Sequence, residues 1–129
     1  MYKYIAIFIA MLALSANSYA DRAYLLVQEA GELSSITEKQ ISLHFEGSDK
    51  DHVYTLNKDV TILDGQGKKI TNSGLKVGEI VSVTFRQYLN RKGENRPVEV
   101  VVTEIKMGGM TLKGFKNATG TQILEVHIP

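Results

Sequence analysis

Two groups of residues carry side chains suited to chemistry. His44, Asp49, Asp51 and His52 fall close together in the chain, with Glu46 among them. Imidazole and carboxylate are the donors that Zn²⁺ and similar ions take. If His44 and His52 face each other across a hairpin, these four are a candidate metal-ligating set. The competing reading is a solvated turn, because Asp and Ser in such a segment hydrogen-bond their own backbone. Asp49-Lys50-Asp51 holds only a fragment of a calcium loop, without the remaining spacing. The second group is Arg86, Tyr88, Arg91, Lys92 and Arg96. Cations beside an aromatic ring suit a binding face, where charge follows an anionic chain and the ring stacks on a base or sugar. Glu94 and Glu99 interleave with them, so the alternative is a charged, solvated loop.

No enzymatic constellation stands beside these two groups. Ser34, Ser35, Ser42, Ser48, Ser73 and Ser82 lack a nucleophile-elbow context, and the histidines have no triad-like setting. No cofactor is implied. Asn117-Ala118-Thr119 matches a glycosylation sequon, a pattern that arises cheaply.

The elements that must position these residues begin after a processing signal. Lys3 is a positive start, Tyr4 to Leu14 is an unbroken apolar run, and Ser18-Tyr19-Ala20 is a small-residue cleavage site. The run is about half of the roughly 20 residues that spanning requires. The reading is therefore a cleaved signal over 1–20 and a single domain over 21–129, in the periplasm or secreted. The chain has no cysteine, which excludes a disulfide framework, a thiol nucleophile and a lipid-modified N-terminal Cys. It has 15 Lys and Arg against 14 Asp and Glu, and loss of Lys3 balances them. No global field draws such a protein to nucleic acid or to an anionic membrane.

After residue 21 the hydropathy pattern is all-β, with short alternating runs between Gly, Asn, Asp and Lys clusters. Runs are expected at Ala23–Gln28 with Gly31–Ile36, at Gln40–Phe45, Val53–Leu56, Val60–Leu63, Ile80–Tyr88 and Val98–Met107. Two more are expected at Met110–Lys113 and Thr121–Ile128. Asp64-Gly65-Gln66-Gly67 is a turn, and Lys69–Gly74 a loop with a short strand or one helical turn. Val81, Val83 and Phe85 alternate inward, and Ser82, Thr84 and Arg86 outward. Val98, Val100 and Val102 are expected to join the first three at the centre of the core. The inward phase then shifts to Ile105 and Met107, which implies a bulge. The expected architecture is a small OB-like barrel of about five to seven short antiparallel strands.

Three segments carry a resemblance. Gly31-Glu32-Leu33-Ser34-Ser35-Ile36 with Ile41-Ser42-Leu43, then Val60-Thr61-Ile62, then Leu75-Lys76-Val77-Gly78-Glu79-Ile80-Val81-Ser82-Val83 resemble the small exported bacterial OB-like domains. The most similar in style is the domain family of unknown function DUF5666, over roughly residues 30–107. The resemblance implies a fold and leaves function open. Ile41-Ser42-Leu43-His44 and Gly78-Glu79-Ile80-Val81 are also similar to strands of the periplasmic copper and silver chaperones. Those proteins need a Trp and two Met ligands. This chain has no Trp, and no Met between Leu12 and Met107, so that likeness stops at the fold.

The functional expectation is a non-enzymatic envelope module that binds a ligand or a partner protein. Its partners would be an envelope protein or an anionic glycan or lipid at Arg86, Tyr88, Arg91, Lys92 and Arg96, with nucleic acid disfavoured by export. The rival is a metal-binding protein or metal-dependent enzyme using the His44/His52 hairpin. A third reading is an assembly role through strand-edge pairing with another envelope component.

Overall fold

The computed structural model describes residues 22–90, 93, 98–112 and 114–129, with Lys116 by its backbone alone. The signal over 1–20 and its cleavage site lie outside the described residues. The protein is all-β. Nine strands occur among the described residues, more than the five to seven expected: β1 (Tyr24–Ile36), β2 (Gln40–His44), β3 (His52–Thr55), β4 (Thr61–Leu63), β5 (Ile80–Tyr88), β6 (Glu99–Met107), β7 (Met110–Leu112), β8 (Phe115–Ala118) and β9 (Gly120–His127). The segment before β5 holds both features expected of it, a bridge at Lys69 and a 3₁₀ turn at Asn72–Gly74.

Seven strands form one sheet in the order β3-β2-β1-β5-β6-β4, with β9 added to β1. β7 and β8 form a separate hairpin. All pairs are antiparallel except β4 with β6, which run parallel. β1 organises the sheet. One of its edges pairs with β5 from Tyr24 to Glu32. The other edge is divided: Tyr24 to Ala30 pair with β9, and Glu32 to Ile36 pair with β2. β1 runs unbroken through both expected segments, with Glu29 and Gly31 in the inward phase between Val27 and Leu33. Gly31 is there for space. A Cβ at that position would stand 2.8 Å from the His44 carbonyl oxygen and 3.2 Å from the Phe45 ring.

The sheet coils so that its two end strands, β3 and β4, meet the same side of β6. β4 pairs with the C-terminal half of β6, from Glu104 to Lys106. Near the end of β3, the Asn57 side-chain amide donates to the Val102 carbonyl at 3.4 Å. The Tyr54 ring lies 5.8 Å from that of Phe85 on β5. Among the described residues no strand pairing closes the circuit, so the coiled sheet is open along one seam between β3 and β6. The strands that face inward alternate as anticipated at Ile41, Leu43, Val81 and Val83, all fully enclosed. The phase shift in β6 is a bulge at Thr103, opposite Thr84 and Phe85.

Two expectations about burial are corrected. Val98 and Val100 are 58% and 46% exposed, and so are not at the core centre. Val100 shares the inward face, as its pairing with Gln87 requires, but it lies beyond the part of the sheet that β2 and β3 cover. Ser82, expected outward and solvated, is 2% exposed. It stands in a row of small residues, Gly120, Ala30 and Ser82, across β9, β1 and β5. Met110 of β7 reaches over the Gly120 end of that row and is itself buried. The outer face therefore has a cover of its own.

Candidate functional site

Among the described residues, the site that best combines a cavity with placed polar groups is a cleft of about 470 Å³ at the seam. Its floor is the inward face of β1, β5 and β6, and one wall is β3 along its whole length from His52 to Thr55. Glu29 stands in this floor and is only 9% exposed. A buried carboxylate is costly unless hydrogen bonds replace its water. Three groups do so. The Tyr54 hydroxyl donates to Glu29 Oε1 at 2.5 Å, and the Thr121 hydroxyl of β9 donates to Oε2 at 2.7 Å. His52 Nδ1 lies 3.5 Å from Oε1, at the outer limit of a hydrogen bond. Burial, and after it the Glu29 carboxylate, push the Tyr54 phenol far above its ordinary value, so it stays a donor. Val27, Phe85 and Val100 supply apolar surface around this polar centre.

Register decides where the expected metal-ligating residues go. His52 is paired with Leu43, so it shares the inward side of the hairpin, and its ring lies 4.4 Å from that of Phe45. His44 is one residue on and faces the opposite way, since neighbours along a strand alternate. There His44 Nδ1 lies 3.1 Å from Asp51 Oδ1. Hydrogen bonds from the Ser34 hydroxyl and from His44 hold the Asp51 carboxyl below its usual range. Ser34 Oγ is also 3.1 Å from the Ser42 carbonyl oxygen, and its single proton serves one acceptor at a time. Asp49 is exposed on the loop. His44, Asp49, Asp51 and His52 are thus divided between two faces. Among the described residues no three His, Asp or Glu side chains converge as a metal-holding group.

The cationic group is divided as well. Arg91, Lys92 and Arg96 lie outside the described residues. Arg86 and Tyr88 do lie together on the outer face, with Arg86 Nη1 3.4 Å from the Tyr88 hydroxyl. Tyr88 is 2% exposed, so its ring is not a platform open to a ligand. Its neighbours account for this. Arg22 lies over the Tyr88 ring at 5.1 Å and pairs with Glu99 at 2.9 Å. Tyr24 packs edge-on against Tyr88 at 5.5 Å, with Arg86 over its own ring at 4.9 Å and His127 stacked on it at 4.6 Å. These rings and cations satisfy one another and tie the first and last strands together.

Glu29, Tyr54 and Thr121 did not emerge from sequence spacing, because they come from three strands far apart in the chain. One signal was present. Glu29 shares the inward phase of Val27 and Leu33, and a charged residue in that phase is the informative exception to an apolar face. No protein-family model, curated protein or solved structure matches the chain.

Proposed function

We propose that the chain is a non-enzymatic binding module of the bacterial envelope, exported by residues 1–20, whose ligand enters the Glu29 cleft. The observation that supports this most is a carboxylate kept ordered and nearly dry at the floor of an open cavity. Ligand sites combine concave apolar surface with a few well-placed polar groups, in volumes of roughly 300–1,000 Å³. The cleft has that make-up. Tyr54 and Thr121 are engaged in holding Glu29, which favours recognition over acid–base turnover. A ligand group that donates hydrogen bonds, above all a cation, complements the remaining acceptor capacity of the carboxylate.

The test is fragment binding followed by amide NMR on the exported protein. n-Butylamine, n-butanol and butyrate serve as cationic, neutral and anionic probes of similar shape. The amine is expected to perturb Val27, Glu29, Tyr54 and Thr121, butyrate is not, and Glu29→Gln removes the difference. Equal response to all three, or none at the cleft, overturns the reading. Export is checked by intact mass, which is expected to show Asp21 at the N-terminus.

A further inference from the structure

Among the described residues, the seam beside the cleft has two strand edges with no strand paired to them, and they face the same gap. β3 pairs with β2 alone among the described residues, and it is the last strand on its side of the sheet. Leu56 donates its N–H to the Lys39 carbonyl at 2.8 Å, which fixes the phase of the hairpin's hydrogen bonds. In an antiparallel pair, residues alternate between bonding the partner and directing their N–H and C=O to the other edge. Tyr54 and His52 share the phase of Leu56. Val53 and Thr55 therefore direct their backbone groups into the seam. Across it, β6 pairs with β4 only at Glu104 to Lys106. The N-terminal half of β6, from Glu99 to Val102, pairs with β5 alone among the described residues. β4 and the Asn57–Val102 bond close the seam below, and the cleft marks where it stays open above.

We infer that the ligand of this cleft is an extended peptide, added as a strand at the seam beside β3, with a basic side chain directed onto Glu29. The inference rests on the cleft being the binding site and names what enters it. The free backbone groups of β3 supply the register, as in other cases of strand addition. Alternate side chains of an added strand point inward. One of them meets the Glu29 carboxylate, and a Lys or Arg there forms a charge-assisted hydrogen bond in a site shielded from water. The inward residues two before and two after meet the apolar surface of Phe85, Val27 and Val100. Val100, 46% exposed, gains cover that the described residues do not give it. Charge complementarity thus selects the central residue, and the alternating pattern selects its neighbours.

The probe is a capped heptapeptide, Thr-Val-Thr-Lys-Thr-Val-Thr, titrated into the exported protein and followed by amide NMR and calorimetry. Three companions are titrated beside it: norleucine in place of Lys, N-methyl groups on alternate backbone nitrogens, and n-butylamine alone. The Lys peptide is expected to bind, the norleucine and N-methyl forms at least about tenfold more weakly, a loss of about 1.4 kcal/mol. Hydrogen exchange at Val53 and Thr55 is expected to slow in the complex. Glu29→Gln is expected to remove the preference for Lys. Should that variant not fold, Val53→Pro removes an edge donor while Glu29 is untouched, and it is expected to weaken every peptide. N-methyl peptide binding as well as its parent, or Val53→Pro without effect, overturns strand addition. If n-butylamine perturbs the cleft and the peptide binds no more tightly, the cleft stands as a small-ligand site and the peptide inference falls. If neither perturbs it, both readings fall.

Discussion

Leu33, Ile41, Leu43, Val81, Val83 and Ile105 are fully enclosed, whereas Val100, Ile123 and Val126 on the same inward face are 46%, 58% and 57% exposed. The first set lies where β2 and the seam-closing β4 complete the coil. The second lies on β9 and the N-terminal half of β6, where the described residues leave the sheet uncovered. Both regions alternate apolar and polar residues with the same period. Alternation therefore specifies which face a residue joins, and the tertiary path of other strands specifies whether that face is dry. Glu29 sits at the boundary between the two, enclosed enough to need Tyr54 and Thr121 and open enough to meet a ligand.

The largest expected effect belongs to the enclosed region. Leu43→Ala removes a side chain with no exposed surface. It should lower stability by about 2–5 kcal/mol, read from the urea midpoint. A loss below about 1 kcal/mol would mean the enclosed region collapses around the cavity, and its contrast with the open region would weaken.

At the boundary, Tyr54→Phe takes one of the donors from a buried carboxylate and should cost about 1.5–3 kcal/mol at neutral pH. The cost has a pH signature. The folded phenol is raised above its ordinary value of 10.0 by burial and by Glu29. The unfolded phenol ionises as pH passes that value, while the folded one keeps its proton. Its contribution is thus whole below the unfolded value and is lost as pH rises above it. The stability gap between wild type and Tyr54→Phe should stay constant up to about pH 9 and narrow as pH rises above about 10. A constant gap would show that Tyr54 is not held as a donor.

On the outer face, Ser82→Leu should cost about 1–3 kcal/mol through overpacking. The row of Gly120, Ala30 and Ser82 leaves no room for a larger side chain beneath its cover. A neutral result would return Ser82 to the solvated position that its alternation with Val81 and Val83 suggests.

Those residues also show how far the sequence could be read. The strand positions other than β8, which overlaps the turn expected at 117–120, and the inward phase of Ile41, Leu43, Val81, Val83 and Ile105 follow from local period, and so does the bulge in β6. Tyr88 and Ser82 are enclosed by partners remote in sequence: Arg22 and Tyr24 for one, Ala30 and Lys106 beside the other. No local pattern announces such partners. The apparent His44–His52 pair failed on parity, because His52 opposes Leu43 and leaves His44 on the other side. The Glu29 cleft needs three strands and an open seam, and only its charged residue in an apolar phase was legible beforehand.

The smallest expected effect tests the comparison most directly, because it uses one substitution in both regions. Val→Thr keeps β-branching and volume and adds a hydroxyl. At Val81, fully enclosed on β5 with Gly31 and Met107 as its cross-strand neighbours, the new hydroxyl would be buried without an evident partner. That should cost about 1–3 kcal/mol. At Val126, 57% exposed on β9, the same hydroxyl remains in water. The change there should stay within about 0.5 kcal/mol. Urea midpoints of the two variants, measured side by side, remove uncertainty about the intrinsic preference of Thr for strands, since both positions are strand positions. If Val126→Thr costs as much as Val81→Thr, the β9 face is covered in solution by something outside the described residues. In that case the open region is a second enclosed one, and the difference in burial would reflect a missing neighbour.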